Sequence, residues 1–359
     1  MPLTEDQQKR PPSARISVDD VGRSTRSAAP QPPHASSQEW LPALLKRILP
    51  STPSQVVQRV MLTVLAASVV ILCIANPIFR QSDNLLNVLQ QAAMVGIIAG
   101  GMQLMIISGG FDLSVGIVAA AAGCAAAYVS LQHGIAIGIL VGLVAGLLAG
   151  FVNGILVATI GINPFVATFG TQAVVTGLLY AATGATPIAP LPSGWTDLGL
   201  RNIAGISFAS LTFVVVILIL LFVLRCTLFG QHIYAVGSNK EGSRRAGIHV
   251  DRVLIAVYAI GGLCAAIAGI LLVSISGIGS PATGTQWALL AIAAVIIGGT
   301  PLTGGVGGIS SAVIGILSLT VLTNALNLYS VSAYWQPALT GTAVLLAVGF
   351  EAFRSARKR

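Results

Sequence analysis

An all-α bundle of about ten membrane-spanning helices is the fold class predicted by three features: composition, the length of the apolar runs, and the placement of charge. Of 359 residues, 55% are hydrophobic and 8% charged, with a mean hydropathy of +0.87. Soluble domains carry ~25% charged residues, so this chain cannot cover a globular surface. Runs of roughly 18 or more apolar residues, enough to cross ~30 Å of hydrocarbon, recur from Val60 onward. They are continuous rather than alternating, which excludes a membrane β-barrel. Finally, all but Arg80 and Arg201 of the 19 basic residues fall in the N-terminal tail, a central island at 225–252, or the C-terminal tail.

Taken in order, residues 1–55 form a polar, Pro/Ser/Gln-rich tail without the apolar core of a signal peptide. Residues 1–37 are expected to be disordered. Residues 38–49 place Leu41, Leu44, Leu45 and Ile48 at helical spacing beside Trp40, Lys46 and Arg47, the pattern of an interfacial helix. Residues 56–359 form the transmembrane domain, with expected spans at 60–79, 85–108, 113–128, 135–160, 164–183, 206–224, 253–276, 287–298, 309–326 and 337–353. The third and eighth are short, as broken or partial helices would be.

Ten crossings place both termini and the 225–252 loop on one side. The positive-inside rule makes that side cytoplasmic, which explains the +8 charge without nucleic acid. The outer side then carries Arg80, Asp83, Asp197 and Arg201, a Pro-containing loop at 184–205, and Trp195, Trp287 and Trp335 at the positions of aromatic belts. Cys73, Cys124, Cys226 and Cys264 have neither disulfide nor metal-ligand spacing. Gly146, Gly150 and Gly154 repeat every four residues, favouring close helix packing over a dimer seam.

Asp112 is the one charged residue outside the loops, tails and span ends, in GGFDLSVG at 109–116. It either caps the third helix or offers a polar group on a solute path. GGTPLTGG at 298–305 shares the pattern G-G-x-x-L-[S/T]-x-G, and broken helices at related positions mark binding regions in transporters. Neutral polar residues in or beside the spans include Gln90, Gln91, Gln103, Asn153, Asn163, Thr168, Thr171, Asn324 and Asn327. From these, Asp112, Ser114, Asn153, Thr168, Thr171 and Asn324 are the candidate path residues, suited to hydrogen bonding a neutral polyol; interhelical bonding is the alternative. No lysine precedes Ser or Thr, so the G-K-[S/T] ending of a nucleotide-binding loop is absent. The histidines lie in the tail or loops. The sequence therefore predicts no catalytic residue, no metal site and no cofactor.

The motifs GGFDLSVG (109–116), NGILVATIGINPFVATFGT (153–171), GQHIYAVGSNKEGSRRAGIHVDR (230–252) and GGTPLTGGVGG (298–308) resemble, in order, those of the permease subunits of ribose-type ABC sugar importers, within the branched-chain amino acid and sugar permease superfamily. The likeness runs from about Asn84 to the C-terminus. Phe111, Gln231 and Val306 depart from the residues usual in the family. The resemblance implies a multi-pass bacterial inner-membrane subunit that moves a monosaccharide or related polyol by alternating access. It also implies a cytoplasmic ABC ATPase that consumes the ATP, a periplasmic sugar-binding protein, a second permease copy as homodimer, and membrane lipid around the helices. A coupling helix at 238–247 would meet the ATPase through Asn239, Lys240, Glu241, Arg244, Arg245 and Gly247. The residues alone leave open an ion-coupled secondary transporter. The resemblance leaves open a permease of the same superfamily for an amino acid, a nucleoside or a signalling sugar.

Overall fold

A computed structural model describes residues 53–332 and scattered positions from 334 to 349. The expected tail helix at 38–49 and much of the span at 337–353 lie outside the described residues. Among those described, eight helices are long and apolar enough to cross a membrane. They are α1 (Pro53–Ala75), α2 (Ser82–Ile107), α3 (Val115–His133), α4 (Ile135–Ala158), α5 (Pro164–Thr183), α7 (Phe208–Cys226), α10 (Val250–Ser276) and α12 (Ile309–Leu328). Shorter helices are α6 (Trp195–Leu200), α8 (Leu228–Ser238), α9 (Lys240–Arg245) and α11 (Trp287–Ile297). The chain is thus an all-α polytopic membrane protein. The eighth expected span is a short helix of 11 residues, whereas the third is a full helix of 19 residues.

The long helix α10 packs against α2, α3 and α4, with α12 and α11 closing over the other side of α2. Apolar side chains gain nothing by leaving lipid for a helix interface, so close van der Waals contact must hold the helices together. Helix α4 shows the consequence. Its buried face is Gly138, Gly142, Gly146, Gly150 and Gly154, while Ile137, Leu140, Val144, Leu148, Phe151 and Val152 point outward. A Cβ at Gly146 would sit 2.5 Å from the Ala266 Cβ and 2.6 Å from the Gly262 carbonyl, and one at Gly150 would strike the Tyr258 carbonyl. The glycine repeat therefore seats α4 on α10 within one chain. Helix α5 is different, with few neighbours and open space around Gly170 and Gly177.

At the end of the bundle holding residues 184–207, the chain folds back on itself. The expectation that Trp195 joins an aromatic belt is corrected: its ring is 1% exposed, and its indole N–H donates to Ser130 Oγ at 2.7 Å. Ser274 Oγ donates to the Trp195 carbonyl at 2.5 Å. A buried indole needs an acceptor, and α3 supplies one. Ile188 and Gly279 exchange two backbone bonds (2.8 and 3.0 Å), and β1 (Asn202–Ile203) pairs with β2 (Ile206–Ser207) in a small hairpin.

Two glycine substitutions test this packing. Gly150→Ala forces a side chain into backbone and is expected to cost ~1–3 kcal/mol, the usual range for overpacking. Gly177→Ala enters open space and is expected to be neutral or stabilising. Thermal unfolding of both variants in detergent measures the contrast.

Candidate functional site

The turns 108–114, 159–163, 227–249 and 298–308 gather at one end of the bundle. Helix α2 ends there on Gly109 (φ +83°), whose N–H donates to the Ile106 carbonyl while that of Gly110 donates to Met105. Helix α11 ends identically on Gly299 (φ +96°), with Gly299 bonded to Ile296 and Thr300 to Val295. Both are left-handed glycine caps. They pair Gly109 with Gly299, whereas matching the two motifs letter by letter pairs Gly109 with Gly298. The two turns are thus structurally related one residue out of the register in which their letters agree.

Asp112 lies in the turn before α3, 1% exposed. Its Oδ1 accepts from the Ser114 N–H (2.7 Å) and Oγ–H (2.6 Å), and its Oδ2 accepts from Asn153 Nδ2 (2.9 Å). Asn153 Nδ2 also donates to Ser114 Oγ at 2.9 Å, and its carbonyl accepts from Thr171 Oγ1 at 2.6 Å. Thr168 Oγ1 accepts from the Leu113 N–H at 3.1 Å and donates to the Pro164 carbonyl at 2.8 Å. Four of the six candidate path residues, Asp112, Ser114, Asn153 and Thr171, therefore form one network linking the turn before α3 to α4 and α5, and Thr168 ties the adjoining Leu113 backbone to α5. Asp112, Ser114, Asn153 and Thr168 are buried, and Thr171 is half-buried. Asp112 holds the turn as a carboxylate bonded two residues ahead, while the helix N-cap position belongs to Ser114. The sixth candidate, Asn324, lies elsewhere: its amide and that of Asn84 exchange bonds of 3.0 and 3.2 Å between α12 and α2.

The 225–252 island folds as two helices. Thr227 Oγ1 caps α8 by accepting from the Gly230 N–H at 3.1 Å, and Asn239 Oδ1 caps α9 by accepting from Gly242 at 2.8 Å. Helix α9 ends at Gly247 (φ +85°), whose N–H donates to Arg244. Asn239, Lys240, Glu241, Arg244, Arg245 and Gly247 are all exposed, and Ser243 is the buried contact. Arg244 pairs with Asp251 at 2.8 Å, and Arg245 with Glu241 at 3.3 Å. Composition gave no sign of α8, because Gly230 and Gly237 interrupt its apolar residues. Its signal is the Thr227 cap together with Ile233 and Val236, both fully buried. Burial pushes the Tyr234 phenol up from its ordinary value, against the opposing pull of the Arg225 charge, so Tyr234 remains a hydrogen-bond donor at neutral pH.

A separate cavity of about 730 Å³ opens between α2, α11, α12 and Pro337, Gly341 and Leu345. This is within the ~300–1,000 Å³ of small-molecule sites. Its walls are mainly apolar, with Gln91, Gln286, Thr320 and Thr323 supplying polar groups. Of these only Gln91 stood out in the sequence. The signal for the others was the i, i+3 spacing of Thr320 and Thr323, four residues from Asn324 and Asn327 respectively.

The Asp112 network predicts coupled energetics. Asp112→Ala leaves the Ser114 N–H and the Asn153 amide without their acceptor, an expected loss of ~1–3 kcal/mol. Asn153→Ala should cost a similar amount, and the double variant less than the sum. A thermal double-mutant cycle on the purified protein measures this.

The model of the branched-chain amino acid transport system permease component family matches residues 84–348. The ribose import permease protein RbsC of Bacillus subtilis (strain 168) is 40% identical over 291 residues, 80% of this chain and 90% of that protein. RbsC of Haemophilus influenzae is 34% identical over 285 residues, 78% of this chain and 88% of that protein. The L-arabinose transport system permease protein AraH of Escherichia coli (strain K12) is 36% identical over 300 residues, 83% of this chain and 92% of that protein. No solved structure matches the chain. The chain belongs to this permease family, as a multi-pass membrane protein homologous to RbsC and AraH and without catalytic activity of its own.

Proposed function

We propose that this chain is the permease subunit through which a monosaccharide or related polyol enters the cell, driven by a separate ABC ATPase that docks on α9. The observation that carries the reading is α9 itself. Six residues capped at both ends hold Lys240, Glu241, Arg244 and Arg245 exposed, with Lys240 beside Gly109 in the turn that joins α2 to α3. A loop serving only to keep charge outside the membrane would not need two capped helices. The substrate class follows from the relatives, named for ribose and L-arabinose.

The solute path in this reading is the cavity beside Gln91, Gln286, Thr320 and Thr323. Among the described residues, Gln91 is exposed and its amide makes no hydrogen bond, although it lies in the third turn of a spanning helix. Such a group is costly against lipid, but serves a wet path for hydroxylated solutes. The Asp112, Ser114, Asn153, Thr168 and Thr171 network is assigned to hold the cytoplasmic ends of α3–α5, and the Asn84–Asn324 pair to border the path. Ten crossings, a cytoplasmic tail at 1–55, a permease domain at 56–359, a homodimer in the bacterial inner membrane and a periplasmic binding protein complete the proposal.

Exposed ion pairs are worth ~0–1 kcal/mol, so altering Arg244 and Arg245 tests partner contact more than fold. Arg244→Glu with Arg245→Glu is expected to abolish uptake while the protein still inserts. The double alanine variant, which introduces no like-charge repulsion against Asp251 and Glu241, should lower uptake in the same direction. Normal uptake with both double variants would refute the docking of an ATPase on α9.

A further inference from the structure

The two glycine-capped turns touch each other and touch α8 at the same place. The Gly305 N–H, in the turn before α12, donates to the Ile107 carbonyl at the end of α2 (2.8 Å). Gly237 of α8 lies over that bond: a Cβ there would strike the Ile107 carbonyl and sit 2.7 Å from the Gly305 nitrogen. A Cβ at Gly304 would be 3.0 Å from Gly109 Cα and 3.1 Å from the Gly237 carbonyl. Beside this three-way contact, Tyr234 Oη–H donates to the Gly307 carbonyl at 2.7 Å. At the start of α9, Lys240 Cε would lie 4.0 Å from a Cβ at Gly109. One turn leads through Phe111, whose carbonyl accepts from Tyr258 Oη at 3.1 Å, into the Asp112 network. The other leads into α12, a wall of the cavity.

We propose that α8 is the joint through which displacement of α9 reaches both turns together, with Gly237 and Tyr234 as its positioning residues. Gly237 lets the α8 backbone seat on the Ile107–Gly305 bond, and Tyr234 ties α8 to the second turn. Because the turns are bonded to each other, the second is bonded to α8 and the first is seated against Gly237, neither α2–α3 nor α11–α12 moves independently of the driving helix. This rests on the reading of α9 as the ATPase-docking helix and adds the route by which its motion enters the bundle.

The test uses the complete transporter, with its ATPase and binding protein, in proteoliposomes, measuring solute uptake and ATP hydrolysis in parallel. Tyr234→Phe removes one bond with little change of shape. It is expected to assemble and hydrolyse ATP as the wild type does, while solute moved per ATP falls about three- to tenfold, in keeping with the net worth of one hydrogen bond. Gly237→Ala, which wedges the joint, should lower the same ratio further in whatever fraction assembles. A merely structural role would reduce the amount of transporter and leave the ratio intact. A wild-type ratio in Tyr234→Phe overturns the proposal. Loss of hydrolysis together with uptake also overturns it, by assigning Tyr234 to ATPase docking. The Arg244 and Arg245 variants report separately on docking, so failure of that reading is distinguishable from failure of the joint.

Discussion

Lipid supplies no hydrophobic force to bring helices together and no water to satisfy a stray backbone group, and this chain meets both conditions with glycine. Where α4 lies on α10, glycines face carbonyl oxygens and small side chains, while large apolar residues point to the lipid. Where α8 meets the turns after α2 and before α12, glycines let three backbones converge around one hydrogen bond. The same residue type holds the bundle laterally and joins its driven end.

These two uses have different mechanical consequences. On α4, Gly146, Gly150 and Gly154 face α10 while Gly138 and Gly142 face chiefly α3, so the three helices pack as one body. The joint at Gly237 is a small contact with a tyrosine at its side, able to pass a displacement without dismantling the bundle. Between them lies the Asp112 network, where a buried carboxylate accepts three hydrogen bonds. It secures the α2–α3 turn to α4 and α5, so that motion entering the turn reaches whole helices. The sparsely packed α5, with open space beside Gly170 and Gly177, has room to respond.

Much of this was legible in the sequence, for physical reasons. Hydropathy marks the long helices because lipid demands continuous apolar length; seven appear within five residues of the expected bounds, while α1 starts seven residues before its expected span. The glycine repeat of α4 was readable as packing because its spacing matches one helix face. Asp112 drew notice as a charge apart from the loops and tails, yet only the fold showed that Ser114 and Asn153 bond it and that Thr171 holds Asn153. Trp195 was misplaced because an indole at a span end reads the same whether it faces lipid or is folded inward onto Ser130. Helix α8 escaped because Gly230 and Gly237, needed for close approach, also blur its apolar pattern. The cavity was least legible: Gln91, Gln286 and Thr320 come from three distant segments, and only their meeting gives them meaning.

In this reading α9, α8 and the two turns move as one unit when the ATPase acts. Distances between paired spin labels test it directly, in the assembled transporter without nucleotide and trapped with ATP. Labels at Glu241 and Val306, on α9 and in the turn before α12, should keep the same separation in both states. A Glu241–Val306 separation that differs between the two states would show that the turn does not follow α9.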